Sequence, residues 1–176
     1  MTGLSALARG VEWERVGEWN DTWALAVVFG LASVPWTYGF VAGSVPLWPA
    51  FVASATYYAA GEGVPALVRG YAANAAGIGY AAATLALVAA VDGGLLTLSL
   101  AVGAFMFLAS LHDFLPLLSF TPGGFFGYAT MFSVDAAGAT AFGVPGLVGG
   151  TVAALASMGA GALIGLGTDT LGKRLA

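Results

Sequence analysis

The chain contains no cysteine. That excludes disulfides, thiol chemistry and cysteine-ligated metals. It has a single histidine, His112, so a multi-histidine metal site within one chain is excluded as well, and no cofactor is expected. Charge is the next scarcity. Charged residues make up 8% of the 176 positions, where a soluble domain carries roughly 25%. Lysine occurs once, at Lys173. So few charges cannot cover a water-exposed globule, and a soluble enzyme, a nucleic-acid binder and a disordered tail are all excluded. No apolar stretch flanked by a cleavage site occurs in residues 1–20, so no removed signal peptide is expected.

What is abundant is apolar. Hydrophobic residues reach 59% and the mean hydropathy is +0.89, which points to an integral membrane protein with the lipid bilayer as its partner. Sparse lysine, a net charge of −4 and abundant Gly, Ala and Val suit a halophilic or GC-rich source. Residues 1–21 are the only strongly charged stretch, with Arg9, Glu12, Glu14, Arg15, Glu18 and Asp21. Apolar residues recur there at Leu4, Leu7, Val11, Val16 and Trp19. This spacing predicts an amphipathic helix lying at the membrane interface, with Trp13, Trp19 and Trp23 in the headgroup zone.

Six apolar segments follow, over residues 22–43, 45–60, 64–91, 94–111, 115–134 and 143–166. A spanning helix needs roughly 20 apolar residues. The second segment is short and contains Pro46 and Pro49; the fifth contains Pro116, Pro122, Gly123 and Gly124. Both are candidates for short or interrupted helices. With six spans, the termini share one side. Arg9, Arg15, Arg69, Lys173 and Arg174 all then fall there, while the loops at Asp92 and Asp135 carry no positive charge. The positive-inside rule makes that side the cytoplasm.

The halves resemble each other. Phe51-Val-Ala-Ser-Ala-Thr-Tyr-Tyr58 aligns with Phe125-Phe-Gly-Tyr-Ala-Thr-Met-Phe132, with three identities. Gly63-Val-Pro-Ala-Leu-Val-Arg-Gly70 aligns with Gly143-Val-Pro-Gly-Leu-Val-Gly-Gly150, with six identities in eight. A repeat of three spans inverts its second copy. The expected fold is therefore all-α, with six transmembrane helices as two inverted three-helix repeats after the interfacial helix. Residues 1–21 form the interfacial helix, 22–91 the first repeat, 92–168 the second and 169–176 a cytoplasmic tail.

The run Leu117-Leu-Ser-Phe-Thr-Pro-Gly-Gly-Phe-Phe-Gly-Tyr-Ala-Thr-Met-Phe132 resembles the Leu-Leu-Ser-Phe-x-Pro-Gly-x-Phe-x-Gly stretch of a bacterial inner-membrane family, domain of unknown function 1097. Hydropathy and size match from about Thr22 to Leu166, and the charged amino-terminal arm looks like an addition. The resemblance implies a small polytopic membrane protein and no assigned activity.

Few residues could carry chemistry, and no nucleophile–base pair supports an enzyme. Asn74 lies mid-span, where a carboxamide must find partners inside the protein. Thr56 and Thr130 are repeat-equivalent and fall in the short segments. Pro49 and Pro122 sit where a first helical turn would present free N–H groups. These residues are the expected lining of a solute path; helix punctuation and backbone bonding by threonine are the competing reading. His112 and Asp113 form a candidate polar pair at the end of the fourth segment, although neighbours on a helix point about 100° apart. Ala73 and Gly77, and Ser157, Gly161 and Gly165, recur every four residues. Such stripes let helix backbones approach closely, so the third and sixth spans are expected to cross near the axis relating the halves, with a homo-oligomeric contact as the competing use. The aromatics suit interface belts and packing, or constrictions in a pore. The expected function is a channel or facilitator for a small neutral or weakly polar solute in the cytoplasmic membrane. The alternative is a structural or accessory subunit packing against another membrane protein.

Overall fold

The computed structural model describes residues 17–176. The interfacial helix expected over 1–21 lies, except for its last few positions, outside the described residues. The described part is helical: α1 (Asp21–Ala42), α2 (Trp48–Ala60), α3 (Gly63–Ala90), α4 (Leu95–Ser110) with a 3-10 turn (Leu111–Phe114), α5 (Thr121–Ala136) and α6 (Gly146–Leu175). Asn20 caps α1, its side-chain oxygen accepting the Thr22 and Trp23 N–H groups. Pro49 and Pro122 occupy the first turns of α2 and α5, where a missing N–H costs nothing.

Two boundaries differ from the sequence expectation. Residues 115–120 are not helical, and α5 begins only at Thr121. Pro116 explains part of this, since the residue before a proline is pushed out of the helical region. At the other end, α6 runs without a break to Leu175, so 169–175 extend the helix instead of forming a separate tail. Lys173 and Arg174 in its last turn suit the negative end of the helix dipole.

Among the described residues, four helical segments are long and apolar enough to cross a membrane: Asp21–Ala42, Gly63–Ala90, Leu95–Phe114 and Gly146–Leu175. The share of each span buried within the protein sorts them: 44% in α6 and 33% in α3, against 17% in α1 and in the α4 segment. Thus α3 and α6 form the centre, and α1 and α4 flank it. The remaining two helices are shorter. The 13 residues of α2 make a rod of about 20 Å, less than the ~30 Å hydrocarbon layer.

Contacts give the helix directions. α2 runs parallel to α6: Ser157 Oγ donates to the Pro46 carbonyl (2.6 Å), Ser54 Oγ to the Gly161 carbonyl (2.6 Å), and Tyr57 Oη to Asp169 Oδ2 (2.7 Å). α5 runs parallel to α3: Gly123 meets Ala73, Gly124 meets Gly77, and further along Tyr128 Oη bonds Thr84 Oγ1 (2.7 Å). α2 lies antiparallel to α3, with Gly70 against Thr56 and Ala60. Side by side in the middle, α2 and α5 run in opposite directions, with Trp48 Nε1 donating to Ser133 Oγ at 3.0 Å. α1 lies along α6, with Leu25 against Gly172.

Glycine makes the two tightest crossings. A Cβ on Gly161 would overlap the backbone of Ala50, and one on Gly77 would overlap the carbonyl of Gly124. The small-residue stripes therefore do not face each other. The Ser157–Gly161–Gly165 stripe of α6 seats α2, Gly165 lying under the Tyr57 ring, and the Ala73–Gly77 stripe of α3 seats α5. The third and sixth spans do pack on each other, as expected, but through other residues: Tyr71 Oη of α3 donates to the Leu155 carbonyl of α6 (3.1 Å) and its ring lies against Gly159. Each small-residue stripe is instead the seat of a short helix.

Candidate functional site

Three residues singled out in the sequence are buried on α2, α3 and α5, while Ser54, Ser157 and Thr168 are buried along the contact of α2 with α6. Thr56, Asn74 and Thr130 are 1%, 0% and 3% exposed. Thr56 Oγ1 donates to the Val52 carbonyl of its own helix (2.9 Å) and lies 3.4 Å from Asn74 Oδ1. Asn74 also touches α5, because a Cβ on Gly127 would overlap its carbonyl. Its Nδ2 has no hydrogen-bond partner. Thr56 and Asn74 are thus brought together. Thr130 is not: it lies about two turns along α5 from Gly123, where its carbonyl accepts from Ser133 Oγ (2.7 Å), the hydroxyl that Trp48 binds. The structure places the prolines differently from each other, with Pro49 buried and Pro122 exposed.

His112 and Asp113 do not act as a pair. His112 is 1% exposed and turns inward, its Nε2 3.2 Å from Tyr80 Oη. Asp113 is exposed and accepts the Thr121 hydroxyl at 2.7 Å. The tight 3-10 turn over Leu111–Phe114 sends neighbouring side chains to different faces. His112 Nδ1 has no partner and approaches the first turn of α5, 3.1 Å from where a Cβ on Gly124 would stand.

A second polar group, which sequence reasoning missed, closes the end of the bundle where α2 turns into α3. Tyr57 Oη donates to Asp169 and accepts the Gly63 N–H at 2.9 Å. Lys173 bridges Asp169 (3.2 Å) and Glu62 (2.9 Å), and Tyr58 Oη bonds Thr168 Oγ1 at 2.7 Å. Arg69 donates to the Ala60 carbonyl and so closes the carboxyl end of α2. The four-residue spacing of Asp169 and Lys173 was the visible signal. Glu62 is exposed and ion-paired.

The aromatics near the start of α2 pack on the flank. Trp36 of α1 lies against Phe51, with ring centroids 4.5 Å apart. Three clefts on the surface are also on flanks: one along α1 at Ser33–Ala42, one of ~380 Å³ between α1 and α6, and one between the end of α3 and the start of α6. None of these three is lined by Thr56, Asn74 or Thr130. No group of three or more His, Asp or Glu side chains among the described residues could hold a metal ion.

Four apolar helices of spanning length among the described residues define the chain as a helical membrane protein. More particularly, it belongs to the family described as protein of unknown function (DUF1097), whose family model matches residues 26–173. No curated protein and no solved structure matches it.

Proposed function

We propose that the protein is a facilitator for a small neutral or weakly polar solute in the cytoplasmic membrane, built as two inverted three-helix repeats that cross six times with both termini in the cytoplasm. The observation that carries this is the pairing of short and long helices. Each short helix, α2 or α5, lies parallel to the last helix of the other half and is seated on it by a glycine-to-backbone contact. The Pro65 end of α3 lies near the end of α6, as the Glu62–Lys173 bridge requires. The Pro145 end of α6 lies near the other end of α3, since Ala82 and Ala86 share a cleft with Leu147 and Thr151. Equivalent ends on opposite sides support the inverted reading. Two short central helices at matching places in inverted halves are the arrangement in which transporters build their sites.

The path runs between α2 and α5, past Thr56 and Asn74 at one end and Thr130 at the other. All three are packed in this conformation, so passage requires α2 and α5 to part slightly. The test is stopped-flow light scattering on proteoliposomes challenged in turn with water, glycerol, urea and ammonium salts. The expected result is faster relaxation for one neutral solute, lost in Thr56→Leu and Thr130→Leu. The same burial favours a second reading, an accessory subunit whose exposed helix faces dock on another membrane protein. Rates equal to those of empty liposomes across the panel would decide for it.

A further inference from the structure

The two ends of the central pair, α3 and α6, are filled differently. The register that aligns Gly63–Gly70 with Gly143–Gly150 continues along both helices. It makes Tyr71 the counterpart of Thr151 and Gly79 the counterpart of Gly159. At one end the Tyr71 ring lies on Gly159, its Cζ 3.4 Å from where a Cβ would stand, and its hydroxyl donates to the Leu155 carbonyl. At the other end a Cβ on Gly79 would meet nothing within 4 Å. One turn further along α3 lies an open cleft of ~340 Å³, between residues 82–86 of α3 and 147–152 of α6. Three residues lining it are smaller than their counterparts: Ala83 answers to Leu163, Ala86 to Leu166 and Thr151 to Tyr71. Leu147 and Val148 match Leu67 and Val68, and Val152 alone is larger, against Ala72. The cleft is therefore the place where one half carries a phenol ring and two leucines and the other half carries none of them.

We propose that this cleft binds a membrane-dissolved compound of the phenol class, a flat ring with one hydroxyl, in the place that Tyr71 holds in the first half. The pairing of positions rests on the repeat in the facilitator reading; the cleft itself does not. The ring lies over the open face at Gly79 and Ala83, as Tyr71 lies over Gly159. Thr151 supplies the polar contact. Its Oγ1 donates to the Leu147 carbonyl of its own helix at 2.8 Å, so it has lone pairs left to accept the ligand's hydroxyl. A lipid chain fits less well. It brings no donor for that oxygen, and ordering a flexible chain costs entropy that a rigid ring does not lose. An ionised compound fits poorly too, because no charged side chain lines the cleft and a buried charge without a partner is expensive.

The test is photolabelling of the protein in phospholipid nanodiscs. One probe is an alkylphenol whose chain carries a diazirine; the other is the matching diazirine alkanol without the ring. Labelled residues are located by mass spectrometry. The expected result is saturable labelling within 82–86 and 147–152 by the phenol, displaced by an unlabelled alkylphenol and about tenfold weaker for the alkanol. Thr151→Tyr, which supplies the ring from the chain itself, removes this labelling; Ala83→Leu serves if that variant fails to fold. The proposal is overturned if labelling does not saturate or spreads evenly over the lipid-facing helices, if the alkanol labels as strongly, or if the folded variants label like the unaltered protein. Flux assays on the same preparations separate it from the broader reading. Saturable labelling without flux keeps the site and removes the facilitator; flux without saturable labelling keeps the facilitator and removes the site.

Discussion

The two seats of the short helices are built alike but finished differently. Where α2 rests on α6, the polar atoms are satisfied across the interface: Ser157 to Pro46, Ser54 to Gly161, Tyr57 to Asp169 and Tyr58 to Thr168. Where α5 rests on α3, only Tyr128 and Thr84 are so joined, and Asn74 and His112 each keep an atom without a partner. Both seats use glycine for close approach. A satisfied interface locks its helices, while unsatisfied polar atoms cost stability and persist where something else requires them. The first seat is therefore a strut, and the second leaves polar atoms of Asn74 and His112 without partners.

The largest expected effect tests the likeness of the seats. Gly161→Ala and Gly77→Ala each push a methyl into a facing backbone that has no rotamer to yield. Each should cost about 3 kcal/mol, read as a fall in the thermal unfolding midpoint in detergent. A large loss at one position and none at the other would break the pairing of the halves.

Next come the substitutions that sharpen the difference. Ser157→Ala and Ser54→Ala remove buried bonds to backbone carbonyls and should each cost about 1–2 kcal/mol by the same measurement. Asn74→Leu removes an amide nitrogen without a partner and an oxygen whose contact with Thr56 Oγ1 is long, at 3.4 Å, so its effect on stability should stay within about 1 kcal/mol in either direction. If Asn74→Leu proves as damaging as Ser157→Ala, the amide is a structural bond and the contrast fails. The smallest effect is expected from Lys173→Met. Its bridge to Glu62 is exposed, where ion pairs contribute little, and the less exposed Asp169 keeps its bond from Tyr57 Oη without the lysine. The unfolding midpoint should be indistinguishable from that of the unaltered protein, at low and at high salt alike.

Much of this molecule was legible in the residue order. Hydropathy marked the apolar segments, and Pro49 and Pro122 marked the starts of the two short helices, with α5 delayed by the irregular stretch after Pro116. The spacing of Ala73 with Gly77 and of Ser157 with Gly161 showed that close helix contacts exist. It did not show with what, because a stripe of small residues encodes a face and carries no information about its partner. His112 was noticed for the wrong neighbour. Adjacency suggested Asp113, whereas the 3-10 turn sends the imidazole inward to Tyr80, 32 positions away. Asp169 drew no attention, since its link to Tyr57 spans 112 positions and leaves no local pattern.

By itself, then, the sequence determined that this chain is an apolar helical membrane protein with two short central helices, since transfer out of water and proline geometry act locally along a chain. Only the tertiary structure decided that each short helix sits on the last helix of the other half, and that Asn74 and His112 converge on the first turn of α5. Those pairings depend on shape complementarity between surfaces far apart in sequence, and no single stretch of residues contains both sides of the fit.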